Sequence, residues 1–390
     1  MLHSKVIKQI IKKCIANHEE VGAAFVLTKD KKEVLKYSAG MADKEHGVLM
    51  NETTICRAFS CSKVATAIAA MILMERGQLD INWDLERILP EFANPFYIRN
   101  GEKIPSSRSI KIRDLLNMTS GIPYPGDCSE GIEETQKVWS DLDSSIKEGK
   151  SLTTLDFARA IGKCPIAFDA GAQWMYGASA DVLGAVIEVI SGKRLGVFME
   201  KNIFQPLGMR DTAFFVPKEK EDRLSVLYEN GEGTKIFEGS NLCIYDIDTP
   251  PAFESGGAGL FSTAADYAKL GAMLANGGES NGNRILGRKT IEFMATNGLT
   301  GHQKSTLNWD STLGYGYANL VRMVEDKNKA GTLASCGSFG WDGWTGTYLL
   351  CDPVERISVT LFVQRCGAGT TQLSRNLVNA VYALDFTPTT

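Results

Sequence analysis

Histidine is scarce in this 390-residue chain: His3, His18, His46 and His302 are the only four, each in a polar or terminal stretch. A Ser-His-Asp triad needs an imidazole packed and oriented by its neighbours, and none of the four has that setting. No two lie at metal-ligand spacing, so no metal site is expected and no cofactor is implied. Long apolar runs are also missing. The most extended, Ala65–Met74, falls far short of the roughly 20 residues that cross a bilayer. The N-terminus is charged and amphipathic, without the apolar core and small-residue cleavage site of a secretory leader. There is no basic block, and the formal net charge is −4, which argues against a nucleic-acid partner. Nine cysteines, an odd number without a Cys-x-x-Cys pair, read as reduced thiols. These absences together predict a cytoplasmic protein with neither a membrane nor a nucleic acid as partner. Apolar residues at 44% and charged residues at 23% match a folded globular chain, which excludes wholesale disorder.

The periodicities that are present place elements at both ends. Val6, Ile7, Ile10, Ile11, Cys14 and Ile15 fall at helical spacing. Strands are expected near 22–28 and 33–38, joined by a hairpin turn in the charged run Lys29-Asp30-Lys31-Lys32. A helix is expected from Ser60 to Arg76, stopped by Gly77. Another is expected from Asp181 to Ile190, stopped by Ser191-Gly192. The acidic, Gly-dotted stretch 123–150 reads as a surface loop or weak helix. The run Ser255–Gly259 lacks the Gly-Lys-Ser/Thr ending of a phosphate loop and reads as a tight turn between domains. Beyond it, Thr263 and Asp266 form a capping box opening a helix to Leu274. Strands near 346–350 and 357–363 and a closing helix over 371–383 complete the chain. Strands at both ends with helices between them predict an α/β domain from residues 1–58 and 255–390. Residues 59–254 would form a mainly helical insert, with the active site between the two.

A serine nucleophile here needs a base other than histidine. Ser-x-x-Lys supplies one, because residues three apart on a helix share a face and the amine reaches the hydroxyl. The amine acts as a base once burial lowers its pKa. The pattern occurs twice, at Ser60–Lys63 and Ser144–Lys147. Ser144 lies in a polar run where both groups would be solvated. Ser60 opens a helix continuing Val64, Ala65, Ala67, Ile68 and Met71, which starts Lys63 near a core. By the pattern alone, Ser60 could still be a capping serine beside an exposed lysine.

The phrases around Ser60 decide between these. They are Phe59-Ser60-Cys61-Ser62-Lys63, Glu75-Arg76-Gly77-Gln78-Leu79-Asp80, Leu89-Pro90-Glu91-Phe92 and Ile112 through Ile122, followed by Gly171 through Tyr176, Phe204 through Met209 and Ser255 through Asp266. In this order, over residues 20–385, the chain resembles the serine β-lactamase and penicillin-binding-protein superfamily. It is most similar to the class C-like branch with the family VIII carboxylesterases. The resemblance implies an α+β, transpeptidase-like fold: an antiparallel sheet flanked by helices, plus a mainly helical second domain. It also implies Tyr176 opposite Ser60 and Lys63, with either Tyr176 or Lys63 as the base. The oxyanion hole would then be the backbone N–H groups of Ser60 and Trp344.

Two departures from the family pattern bear on substrate. The family's Tyr-x-Asn is Tyr176-Gly177-Ala178 here, followed by Ser179, so the amide that grips a substrate is gone. The cation of the family's third motif is replaced in Gly340-Trp341-Asp342-Gly343-Trp344 by an indole, which offers only an N–H and an apolar face. Trp341, Gly343, Ala178 and Ser179 are the candidate substrate contacts. Both changes favour a small uncharged ester over a charged amide. An esterase acting through an acyl-enzyme on Ser60 is therefore expected. The alternatives are an acyltransferase on the same residues, a β-lactamase or D-alanyl peptidase, and, last, a non-catalytic binding member.

Overall fold

The computed structural model describes residues 2–127, 129–148, 150, 152–233, 250–280 and 282–384. The N-terminal part comprises α1 (Leu2–Ala16), β1 (Gly22–Lys29), β2 (Lys32–Asp43), β3 (Val48–Leu49) and β4 (Cys56–Arg57). A 3₁₀ turn, Phe59–Cys61, then leads into α2 (Ser62–Glu75). Among the described residues, the middle holds a small hairpin, β5 (Phe96–Arg99) with β6 (Glu102–Pro105), and six α-helices. These are α3 (Ile112–Leu116), α4 (Ile132–Lys147), α5 (Thr154–Ile161), α6 (Ser179–Ser191), α7 (Leu195–Met199) and α8 (Gln205–Leu207). The chain returns through β7 (Phe261–Ser262), α9 (Ala264–Ala275), β8 (Glu279–Ser280), β9 (Asn283–Arg284), α10 (Arg288–Met294) and α11 (Gly301–Ser305). It ends with β10 (Tyr315–Ala318), β11 (Val321–Val324), α12 (Lys327–Ala330), β12 (Phe339–Asp342), β13 (Tyr348–Asp352), β14 (Ile357–Phe362) and α13 (Gln372–Tyr382).

One eight-stranded antiparallel sheet runs β10-β11-β12-β13-β14-β1-β2-β3. It joins the two ends of the chain where β1 pairs with β14, Phe25 opposite Leu361. Alternation along β1 assigns its two faces. Ala23, Phe25 and Leu27 pack with Ile7 and Ile11 of α1 and Leu377 and Val381 of α13. Ala24 and Val26 point the other way, into the larger core shared with α9, α2 and α6. The β1–β2 hairpin turns at Asp30-Lys31, both at positive φ (48° and 68°), as a two-residue turn matching strand twist requires.

The helical middle packs around α2 and α6. Residues Ser62–Leu73 of α2 and Ser179–Ile187 of α6 are buried without a break, so both are interior helices rather than amphipathic surface ones. Gly192, at φ 63°, caps α6 in the left-handed conformation. Two expectations are refined. Of the two readings of 123–150, loop or weak helix, the helix holds over Ile132–Lys147: α4 has 16 residues and buries Thr135, Trp139 and Leu142 at i, i+4, i+7 spacing. Its acidic start, Glu133 and Glu134, complements the helix dipole rather than signalling a loop. The second concerns α9. Thr263 accepts from Asp266 N–H at 3.1 Å, but the Asp266 carboxylate turns to Asp211 N–H, 2.7 Å away, and so ties α9 to the chain after α8. Strands β10–β12 escape periodicity because four-residue strands buried on both faces carry no alternation.

Candidate active site

The turn before α2 is held from three sides. Ala58 N–H donates to Leu260 O at 2.8 Å, and the Ala58 carbonyl accepts from Thr347 Oγ1 at 2.8 Å. Tyr267 Oη, from α9, donates to the Cys61 carbonyl. Phe59 is fully buried at φ 44°, a conformation costly for a bulky residue. It is held by edge-to-face contact with Trp344, ring centroids 5.4 Å apart, and by packing on Ile55 and Phe261. The strained residue presents Ser60, partly exposed, just ahead of the first turn of α2.

Lys63, one turn on, is 0% exposed. Its Nζ meets three oxygens: Ser60 Oγ at 3.3 Å, Tyr124 Oη at 3.1 Å and the Gly257 carbonyl at 2.9 Å. It also lies 4.6 Å from the centre of the Tyr176 ring. Burial pushes the Lys63 ammonium down to about 8, with Asp181 acting against that fall. Asp181, buried on α6, accepts from Ser255 Oγ, from Gly257 N–H at 3.1 Å and from Tyr124 Oη at 3.4 Å. Burial raises its carboxyl, and the charge of Lys63 pulls it back. The second Ser-x-x-Lys pair is different: Ser144 and Lys147 are exposed on α4, and Lys147 pairs with Asp143 at 2.8 Å. Ser280, within Gly278-Glu279-Ser280-Asn281-Gly282, has the Gly-x-Ser-x-Gly spacing but sits in the β8–β9 hairpin. That is not the strand-to-helix turn a nucleophile elbow needs.

Tyr176 stands on the segment before α6, and Trp341 Nε1–H donates to its hydroxyl at 3.1 Å. The two rings stack with centroids 5.6 Å apart. Burial keeps the phenol well above its ordinary pKa, while hydrogen bonding with Ser60 and the Trp341 N–H works to lower it. The turn after β12 comes against the Ser60 turn through Gly343. A Cβ there would lie 2.1 Å from Thr347 Oγ1 and 2.4 Å from the Ala58 carbonyl oxygen, so only glycine allows this approach. Trp344 follows directly, its indole half-exposed.

The structure thus gathers Ser60, Lys63, Tyr176, Trp341, Gly343 and Trp344, but three of the candidate substrate contacts present no surface to the cleft. Ala178 is fully buried. Ser179 is 1% exposed and shares a hydrogen bond of 2.8 Å with Ser120, because the chain turns at Gly177-Ala178 into α6 and leaves its hydroxyl on the buried side. Trp341, 2% exposed, has its N–H engaged by Tyr176, so it faces the tyrosine rather than open space.

Three participants escape sequence reasoning. Tyr124 and Asp181 carry signals too weak to single out: a tyrosine just after Gly121-Ile122-Pro123, and one acid within an apolar helix. The third, the Gly257 carbonyl, is backbone and carries none. The Ser255–Gly259 run does turn the chain, and it also closes the wall behind Lys63. A Cβ on Gly257 would fall 2.7 Å from Asp181 Oδ2 and 2.8 Å from Tyr124 Oη. Among the described residues, no cluster of His, Cys, Asp and Glu suits a metal ion, and no helix is long and apolar enough to cross a membrane.

The family model described as Beta-lactamase matches residues 7–383. Esterase EstB of Burkholderia gladioli is 30% identical over 382 residues, covering 93% of this chain and 91% of that protein. A putative D-alanyl-D-alanine carboxypeptidase of Escherichia coli K12 is 26% identical over 364 residues, with 86% and 76% covered. Among solved structures, EstCE1, described as a hydrolase with promiscuous acyltransferase activity, superposes with a TM-score of 0.81 at 25% identity, covering 97% and 98% of the two chains.

Proposed function

This chain belongs to the beta-lactamase family, and we propose that within it the protein is a serine hydrolase that cleaves small carboxylic esters through an acyl-enzyme on Ser60. The observation that carries this reading is the enclosed amine of Lys63. A lysine at 0% exposure, with its pKa brought down to about 8, holds a large fraction of neutral amine near pH 8. The acceptor-only Gly257 carbonyl takes one of its two protons. Tyr124 Oη, donating its own proton to Asp181, takes the other. The lone pair is then left for the Ser60 hydroxyl proton at 3.3 Å, within range of a catalytic contact that tightens on binding.

In this reading Ser60 Oγ bonds to the ester carbonyl carbon as its proton passes to Lys63. The charge formed on the carbonyl oxygen is met by the N–H groups of Ser60 and Trp344. A preorganised donor of this kind is worth about 3–4 kcal/mol. The C–O bond to the alcohol then breaks, and the alcohol oxygen takes the Tyr176 proton, which Lys63 replaces. Trp341 can only donate to Tyr176 Oη, so the phenol proton is free to point at Ser60 and the departing oxygen. Water repeats the sequence in reverse order on the acyl-enzyme and releases the acid.

Esters are favoured over charged amides because Ala178 offers no amide. The third-motif position likewise holds a buried indole in place of a cation. EstB supports this choice at 30% identity. Transfer to an alcohol in place of water uses the same steps and stands as the second reading, favoured by the likeness to EstCE1. Hydrolysis of p-nitrophenyl butyrate and of a chromogenic cephalosporin by the wild type and by Ser60→Ala tests the proposal. Ester turnover that is lost in Ser60→Ala and exceeds cephalosporin turnover is expected. Cephalosporin cleavage as the dominant activity would replace it.

A further inference from the structure

Trp309 has no part in the chemistry above, yet it packs on the proposed proton donor. Its ring lies edge-on to Tyr176 with centroids 5.1 Å apart, and edge-on to Trp174 at the same distance. Trp174 and Trp341, the other indoles around Tyr176, are 4% and 2% exposed, whereas Trp309 is 41% exposed. An indole left half in water beside a reacting group is unusual unless something covers it in use.

Its position is fixed rather than incidental. Thr306 Oγ1 accepts from Trp174 N–H at 2.9 Å and lies 3.2 Å from the Trp174 carbonyl. Gln303 Nε2 donates to the Gly171 carbonyl at 2.6 Å, and Thr312 Oγ1 donates to the Trp309 carbonyl at 2.7 Å. The loop after α11 is therefore strapped to the segment that carries Tyr176. Trp309 is presented at a set distance from the phenol with little freedom left to lose on binding.

We propose that Trp309 is the platform for the alcohol half of the ester, and that this selects esters of aromatic or similarly flat apolar alcohols. The inference rests on the acyl-enzyme reading, in which the leaving oxygen takes its proton from Tyr176. The alcohol must then lie on the Tyr176 side of the scissile bond, where Trp309 holds the exposed aromatic surface. A ring stacked against an indole gains in affinity by roughly three- to tenfold. The same seat receives an acceptor alcohol when one replaces water: its oxygen bonds to the acyl carbon, its proton returns to the Lys63–Tyr176 pair, and Ser60 leaves.

The test compares benzyl acetate with ethyl acetate, which share an acyl group and differ at the alcohol, in wild type, Trp309→Ala and Trp309→Phe. Wild type is expected to favour benzyl acetate. Trp309→Ala should lower kcat/KM for it roughly three- to tenfold more than for ethyl acetate, and Trp309→Phe should keep most of the preference. With wild-type acetyl-enzyme, added benzyl alcohol should compete with water better than ethanol does, and Trp309→Ala should remove that advantage, read as the ratio of transfer to hydrolysis in each protein. Equal losses for both esters, or no wild-type preference, would overturn the platform while leaving the esterase reading intact. Failure of the wild type to form an acyl-enzyme with any ester would overturn both.

Discussion

Lys63 Nζ donates to the backbone carbonyl of Gly257 at 2.9 Å, a contact that links the helix of the nucleophile to a glycine turn 194 residues away. A carbonyl can only accept, so it fixes the direction of one amine proton in either protonation state. With Tyr124 taking a second, the amine is aimed at Ser60 before any substrate arrives. The base is preorganised by backbone as much as by side chains.

Replacing this amine removes the base and leaves the buried Asp181 carboxyl without its cationic partner. Lys63→Met is expected to lower kcat/KM for p-nitrophenyl acetate by about 10²–10⁴-fold and to lower the thermal unfolding midpoint, with the far-UV circular dichroism of the folded protein retained at the assay temperature. Stopped-flow release of p-nitrophenolate reads the acylation rate directly. A change of less than tenfold would remove Lys63 from the base role.

Acylation should rise with pH through an apparent pKa near 8, because the neutral amine is the active form and burial has lowered Lys63 to about that value. Asp181 opposes the lowering, since its charge favours the ammonium. Asp181→Asn removes that support, so the rising limb should move to lower pH. A pH–rate profile of both proteins checks the sign, and a shift to higher pH would contradict it.

Trp341→Phe keeps the ring against Tyr176 and deletes the N–H that reaches its oxygen. A hydrogen bond of this kind is worth about 0.5–1.5 kcal/mol, or roughly two- to twelvefold in rate. The loss should be larger for ethyl acetate than for p-nitrophenyl acetate. A poor leaving group depends on the Tyr176 proton, whereas p-nitrophenolate leaves without it. Equal losses would place Trp341 outside the proton path.

Gly343→Ala tests the oxyanion geometry. The added Cβ would meet Thr347 Oγ1 and the Ala58 carbonyl, pushing the turn that carries Trp344 away from Ser60. We expect kcat to fall about 10²–10³-fold, the usual effect of losing one such donor, with little change in KM. Retained kcat in a folded Gly343→Ala protein would mean that the Trp344 N–H is not a donor.

The sequence made Ser60, Lys63 and Tyr176 legible because each stands in a short contiguous phrase, and because three-residue spacing on a helix implies proximity by itself. The two ends of the chain were legible for a similar local reason: α1 has a clean period of 3.6, and β1 is a short continuous apolar run, Ala23–Leu27, closed by a charged turn. What stayed hidden depends on contacts across the fold. Tyr124 is 61 residues from Lys63, and Asp181 is 57 from Tyr124. Nothing local distinguishes either from an ordinary tyrosine or helix acid. Ser179 was misread for the converse reason. Its neighbour Tyr176 faces the cleft, but three residues on, at the start of α6, the hydroxyl meets Ser120. Helix α4 was legible only as one alternative to a loop, because its surface is acidic, although Thr135, Trp139 and Leu142 already carried its buried stripe.

The most direct test of the central claim is the mass of the intact protein after rapid quenching of a reaction with p-nitrophenyl butyrate. Wild type should gain one butyryl group, peptide mapping should place it on Ser60, and Ser60→Ala should gain none. A butyryl group on another residue, or turnover by Ser60→Ala at the wild-type rate, would contradict the account.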